Sequence, residues 1–164
     1  MKILDKPQIL QKIKRLSIEI LENNFEEKTI VLAGINNNGI GFAKLLEKEL
    51  NRISEIKTQV IQIKLNPANP LATPVEIDTQ IELLKGKTVI VVDDVANTGR
   101  TIFFACKPLM NILPKKLEVA VLVDRKHKTF PIIPKYVGVS LATTLKEDID
   151  AKIMNTEDWG VYLN

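Results

Sequence analysis

Asp93 and Asp94 stand side by side behind the apolar run Val89-Ile-Val-Val92, and are followed by Val95, Ala96, Asn97, Thr98, Gly99, Arg100 and Thr101. This reads as a buried strand, a polar loop and the start of a helix. The two carboxylates can accept hydrogen bonds from vicinal hydroxyls of a sugar. The loop amides, with the Thr98 and Thr101 hydroxyls, can receive a phosphate dianion at a positive helix terminus. In an open parallel sheet, ligands bind beyond the carboxyl ends of the strands, which is where this loop falls. Carboxylates for a ribose beside amides for its phosphate suit a phosphorylated pentose. Two other readings stay open: a strand-end turn with Thr98 as a helix cap, and an acidic pocket for a metal ion, which leaves Asn97 to Thr101 without a task. A Walker-type loop is excluded because no Gly-Lys-Ser/Thr is present, and a dinucleotide fingerprint because the loop has one glycine, Gly99.

The elements that must hold this segment follow from patterning. Asp5 with Gln8 three residues on and Pro7 between marks a helix start, and Ile9, Leu10, Ile13, Leu16, Ile20 and Leu21 share one face, so a first helix runs to about Asn24. Residues 29–33 are apolar on both parities, as in a strand covered on both faces. A loop of Ile35, Asn36, Asn37, Asn38 and Gly39 precedes a half-exposed helix over 40–50. Residues 58–65 read as a strand, and 66–74, with three prolines, as a loop that can be neither helix nor central strand. A strand over 87–92, a helix over 102–113 with Pro108 inside it, and a strand over 117–123 continue the alternation. From Asp124 on, the pattern breaks into short pieces expected to form a small lid or hairpin. The expected fold is α/β, one domain over residues 1–164, with a mostly parallel central sheet flanked by helices and a small C-terminal hood.

A chain of 164 residues buries roughly two-thirds of its unfolded surface and needs no staple. A net charge of +3 is too mild for wrapping nucleic acid. A single cysteine, Cys106, and a single histidine, His127, exclude a disulfide framework and a zinc cage. No apolar leader and no run of eighteen uncharged apolar residues is found, so a soluble cytoplasmic protein without membrane contact is expected.

The stretch Val91-Val-Asp-Asp-Val-Ala-Asn-Thr-Gly-Arg-Thr101 resembles the phosphoribosyl pyrophosphate (PRPP) motif of type I phosphoribosyltransferases. Lys14-Arg-Leu-Ser-Ile-Glu19, Val31-Leu-Ala-Gly-Ile35, Gly39-Ile40 with Ala43, Ala120-Val-Leu-Val-Asp-Arg-Lys-His127, Pro131 and Tyr136-Val-Gly138 are similar to the PyrR type. That branch combines regulation of the pyrimidine operon through RNA with uracil phosphoribosyltransferase activity. The resemblance implies that Asp93 and Asp94 contact the ribose hydroxyls and that Ala96, Asn97, Thr98, Gly99, Arg100 and Thr101 wrap the 5′-phosphate. It implies that Ile35 to Gly39 face the pyrophosphate, and that Asp124, Arg125 and His127 lie near the base. Magnesium enters with PRPP, with no protein metal ligands assigned. A pyrimidine base, chiefly uracil, and a homodimer or higher assembly complete the expectation. No side chain is assigned as a catalytic acid or base.

Three positions depart from the family's pattern. The pyrophosphate loop, usually basic, is Asn36-Asn-Asn38 here, and charge-assisted bonds are roughly twice as strong as neutral ones. No ionisable residue lies between Lys64 and Glu76, so the lid can exclude water but brings no charge. On the first helix Lys14 and Ile18 flank Arg15 where the family's regulators carry Thr and His, leaving Lys12, Lys14 and Arg15 as candidates for phosphate contacts with RNA. The alternative function is a PRPP or nucleotide sensor, or an RNA attenuator, without turnover.

Overall fold

Strands that are apolar on both parities need cover on both faces, and that requirement organises the molecule. The computed structural model describes residues 1–154 and 156–164. Its six-stranded sheet has the order β4-β3-β2-β5-β6-β7. The strands are β2 (Thr29–Ile35), β3 (Lys57–Lys64), β4 (Glu76–Ile77), β5 (Thr88–Ala96), β6 (Lys116–Arg125) and β7 (Tyr136–Leu141). All neighbours pair parallel except β4, which runs antiparallel to β3. Helices α1 (Lys6–Asn23) and α2 (Asn36–Ile53) bury Ile9, Leu16, Ile20, Phe42, Leu46 and Leu50 against Ile30, Leu32, Ile90, Val92, Ala120 and Leu122 on one face. The other face, with Val31, Ala33, Val89, Val91 and Val121, is covered by the short α3 (Arg100–Ala105) and by 3-10 turns at Ile81–Leu84 and Pro108–Asn111.

Both chain ends meet in a second, antiparallel sheet. Its order is β1-β9-β8, from β1 (Lys2–Asp5), β8 (Ile149–Lys152) and β9 (Gly160–Leu163). Leu4, Ile149, Ala151 and Val161 join the core beneath α1 and α2. Asp5 caps α1 as its pattern predicts: its side chain accepts from the Gln8 amide at 2.9 Å, and the Gln8 side chain accepts from the Asp5 amide at 2.9 Å.

Several expectations are corrected. The hood is not C-terminal alone, because β1 is one of its strands. The chain after Asp124 is not only a hairpin: β7 extends the main sheet in parallel, joined to β6 by a non-helical connection. The helix expected over 102–113 ends at Ala105, since Pro108 cannot supply the amide that a continued helix needs. The expected loop at Asn36 to Gly39 is instead the first turn of α2.

Candidate functional site

β5 carries the aspartate pair to its carboxyl end, at the middle of the sheet, before leaving the core. Asp93 and Asp94 are each 9% exposed. Each carboxylate folds back on backbone: the Asp94 amide donates to Asp93 Oδ1 at 2.9 Å and the Val95 amide to Asp94 Oδ1 at 2.8 Å. The Asn38 side-chain amide donates to Asp94 Oδ2 at 3.1 Å. Among the described residues neither aspartate forms an ion pair. Burial pushes Asp93 well above the usual carboxylate range, reinforced by the neighbouring Asp94 charge, and burial likewise raises Asp94. The pair is therefore held short of hydrogen-bond donors and of positive charge, an arrangement that incoming hydroxyls or a cation would relieve.

Asp93 and residues 95–102 line a concavity of about 50 Å³ beside the pair. Gly99, at φ 85°, gives the loop its sharp return; any side chain there would also press on Ile132, 3.1 Å from a would-be Cβ. The Arg100 amide donates to Thr98 Oγ1 at 3.3 Å. Among the described residues Asn97 Oδ1 finds no partner, though it is buried in the wall of this concavity. The loop is braced from outside by the β6–β7 connection, whose Thr129 and Phe130 amides both donate to the Thr98 carbonyl, at 3.0 and 3.1 Å.

The asparagine segment comes against the same spot because two glycines permit close crossing. A Cβ on Gly34 would lie 2.4 Å from Ile40 Cα, and one on Gly39 would lie 2.6 Å from the Val92 carbonyl oxygen. The first turn of α2 thus rests on the end of β5. Asn36 adopts φ 50°, a left-handed conformation asparagine tolerates. Its side chain is already engaged: Nδ2 donates to the Leu65 carbonyl at 3.0 Å and Oδ1 accepts from the Leu65 amide at 3.1 Å. Gln62 Nε2 donates to the Asn36 carbonyl at 3.1 Å. Asn36 therefore pegs the root of the 66–74 loop, while Asn37 and Asn38 are exposed and Asn38 reaches Asp94.

At the end of β6, Asp124 lies in register with Ala96, but its carboxylate pairs with Lys128. Lys128 Nζ also donates to the Arg125 carbonyl at 2.5 Å and the Ala96 carbonyl at 3.3 Å. Arg125 is fastened to Thr143 Oγ1 and the Thr144 carbonyl, and His127 Nε2 to the Thr143 carbonyl. Lys128 was missed from sequence; its signal is the i, i+4 spacing to Asp124. Arg15, one of the candidates for phosphate contacts, donates to the Val137 and Gly138 carbonyls at 2.9 and 2.6 Å, tying α1 to β7. Cys106 is buried, and burial pushes its thiol up to about 11.

Comparison with known proteins bears on the same geometry. The family model described as phosphoribosyl transferase domain matches residues 1–152. The chain is 34% identical over 160 residues to the bifunctional protein PyrR of Haemophilus ducreyi, covering 92% of this chain and 88% of that protein. It is 32% identical over 167 residues to the bifunctional protein PyrR of Halalkalibacterium halodurans, covering 94% and 91%. Among solved structures, the hypoxanthine phosphoribosyltransferase of Trypanosoma cruzi superposes with a TM-score of 0.81 over 99% of this chain and 95% of its own, at 16% identity. A hypoxanthine-guanine phosphoribosyltransferase of Bacillus anthracis gives 0.71 over 86% and 82%, at 24% identity. At these identities the solved structures speak for the fold alone. With a family model spanning most of the chain and full-length relatives above 30% identity, the chain belongs to the phosphoribosyl transferase family, and within it to the PyrR type.

Proposed function

We propose that the concavity at the end of β5 binds PRPP and that the protein transfers its phosphoribosyl group to uracil, giving UMP and pyrophosphate. As a member of the PyrR type the chain is a PRPP-using phosphoribosyltransferase. The observation that carries the residue-level reading is the buried, ion-pair-free Asp93–Asp94 pair beside a loop lined by Ala96 to Thr101. The aspartates accept from the ribose 2′ and 3′ hydroxyls. The loop amides, the Thr98 and Thr101 hydroxyls and Arg100 receive the 5′-phosphate. The first turn of α2, with Asn37 and Asn38, presents amides to the pyrophosphate; a helix N-terminus supplies part of the attraction that basic side chains would otherwise give.

In the reaction a base nitrogen forms a bond to C1 of the ribose as the C1–oxygen bond to pyrophosphate breaks. The leaving group takes the bonding electrons, and the base's proton passes to water. The protein's part is to align the two reactants, to keep water out with the uncharged 66–74 lid, and to stabilise charge on the leaving group. Magnesium fits as a companion of the substrate: the site offers two adjacent carboxylates but, among the described residues, no cluster of three metal-ligating side chains. When bound it neutralises phosphate charge. Asp124, Arg125 and His127, at and just beyond the end of β6, border the base in this reading, which is supported by the register of Asp124 with Ala96 of the loop.

The test is pyrophosphate release from PRPP and magnesium with uracil, with hypoxanthine as the competing base. Uracil-dependent release, lost in Asp93→Asn with Asp94→Asn, is expected. Binding of PRPP without release from any base would favour a sensor, and unchanged PRPP affinity in the double variant would remove the site assignment. Regulation through a pyrimidine-operon leader RNA and assembly into a homodimer are finer parts of the same reading, checked by gel shift at low salt and by sedimentation.

A further inference from the structure

Arg100 has two attachments. It lines the concavity formed by Asp93 and residues 95–102, and its guanidinium donates to the Pro67 carbonyl at 2.8 Å, with the Ala68 carbonyl at 3.5 Å, both in the lid. The lid has no ionisable residue of its own between Lys64 and Glu76. Its turns are self-contained: Asn66 Oδ1 accepts from the Ala68 and Asn69 amides at 3.0 and 3.3 Å, and the Asn69 carbonyl accepts from the Ala72 amide at 3.0 Å. Its root is pegged separately by the Asn36 side chain on both backbone groups of Leu65. The charged tie from the body of the protein to the lid thus comes from the wall of the phosphate site.

We propose that Arg100 is a latch between the phosphate loop and the lid, holding the lid back while the site is empty and releasing it when a phosphate dianion enters the loop. A guanidinium bonds a phosphate dianion far more strongly than amide carbonyls, and in a matching fork geometry. Occupancy of the loop draws Arg100 off Pro67 and Ala68, and residues 66–74 then move about Leu65, where Asn36 keeps them attached. The device rests on reading the loop as a phosphate site, and it makes Arg100 a positioning residue for the lid as well as a ligand contact.

Hydrogen exchange of the lid amides Ala68, Asn69, Leu71 and Ala72 tests the latch in the full chain. Without ligand, Arg100→Ala should exchange about three- to tenfold faster than wild type in this segment, and Arg100→Lys, which keeps a charged donor group but not the fork, should recover part of the protection. Saturating ribose 5-phosphate should speed lid exchange in wild type and leave Arg100→Ala unchanged. Equal exchange in ligand-free wild type and Arg100→Ala overturns the latch, as does slowed or unaltered lid exchange in wild type with ribose 5-phosphate bound. Failure to bind ribose 5-phosphate at all counts instead against the phosphate site; the ligand-free comparison still decides the latch.

Discussion

Two clusters of buried polar groups, at opposite ends of the sheet, are treated in opposite ways. At the amino ends of β6 and β7, Glu118 is 8% exposed, yet it pairs with Lys135 at 2.6 Å and accepts from the Tyr136 hydroxyl at 3.0 Å. Asn24 donates to the Tyr136 oxygen at 3.2 Å and accepts from Lys116 Nζ at 2.5 Å, so the end of α1 is bound into the same network. At the carboxyl end of β5, Asp93 and Asp94 are equally buried, but among the described residues their hydrogen-bond donors are backbone amides and the Asn38 carboxamide. A buried charge left without a counter-charge costs stability that a structural site would have no reason to bear. The satisfied cluster ties the fold together, whereas the aspartate pair keeps acceptor capacity that suits the ligand site proposed above.

Exchanging the two aspartates for asparagines should break the comparison most visibly. Asp93→Asn with Asp94→Asn is expected to lower kcat/KM for PRPP at least 100-fold, about 2.7 kcal/mol or more. Its melting temperature in the absence of ligand should not fall and should rise near neutral pH, since like charges are removed. A drop in melting temperature with activity retained would mean that the pair is structural. Gly39→Ala acts on the contact between α2 and β5: its Cβ meets the Val92 carbonyl oxygen at 2.6 Å, and overpacking of this kind costs about 1–3 kcal/mol. Because that shift moves Asn38 from Asp94, PRPP affinity should fall together with stability, measured by titration and denaturant melts on the same preparation.

At the opposite end, Tyr136→Phe deletes the hydroxyl and leaves Glu118 and Asn24 short of a partner, for about 1–2 kcal/mol of stability. Turnover of the folded protein should be unchanged, which separates the two clusters cleanly. Titration sharpens the contrast with the smallest effect. Asp93 binds its proton more tightly folded than unfolded, so ligand-free stability falls as pH rises from about 4, the unfolded aspartate range, until its raised folded value is passed. The Tyr136 phenol, raised by burial and by Glu118, has the same sign in another window: its contribution is complete below about pH 10 and lost above it. Melts against pH should show the acidic limb vanish in the aspartate double variant and the alkaline limb vanish in Tyr136→Phe.

Much of this was legible because it is local. The capping box at Asp5 and Gln8, the two-sided apolar strands, the proline-rich 66–74 loop and the Asp93 to Thr101 segment all depend on residues within a turn or two of one another, where side-chain type dictates backbone choice. The boundaries that slipped sit where sequence signals compete with packing. Asn36 to Gly39 read as a polar turn, yet Gly34 and Gly39 let α2 begin directly on the end of β5, and Pro108 ends α3 sooner than the apolar pattern around it suggests.

What tertiary structure alone decided involves partners far apart in the chain. Lys2 pairs with Tyr162 across the second sheet, so neither a four-residue β1 nor β9 carries enough pattern to announce itself. Arg15 looks like a free cation until β7 offers two carbonyls, and Asn36 looks like a ligand contact until Leu65 arrives to occupy both ends of its carboxamide. The expectation of a ribose phosphate site was legible in residue types, because carboxylates, hydroxyls and amides can recognise such a ligand wherever they stand. Which groups remain free to do so was set by folding, because a hydrogen-bond donor is available to a ligand only if no distant part of the chain has already satisfied it.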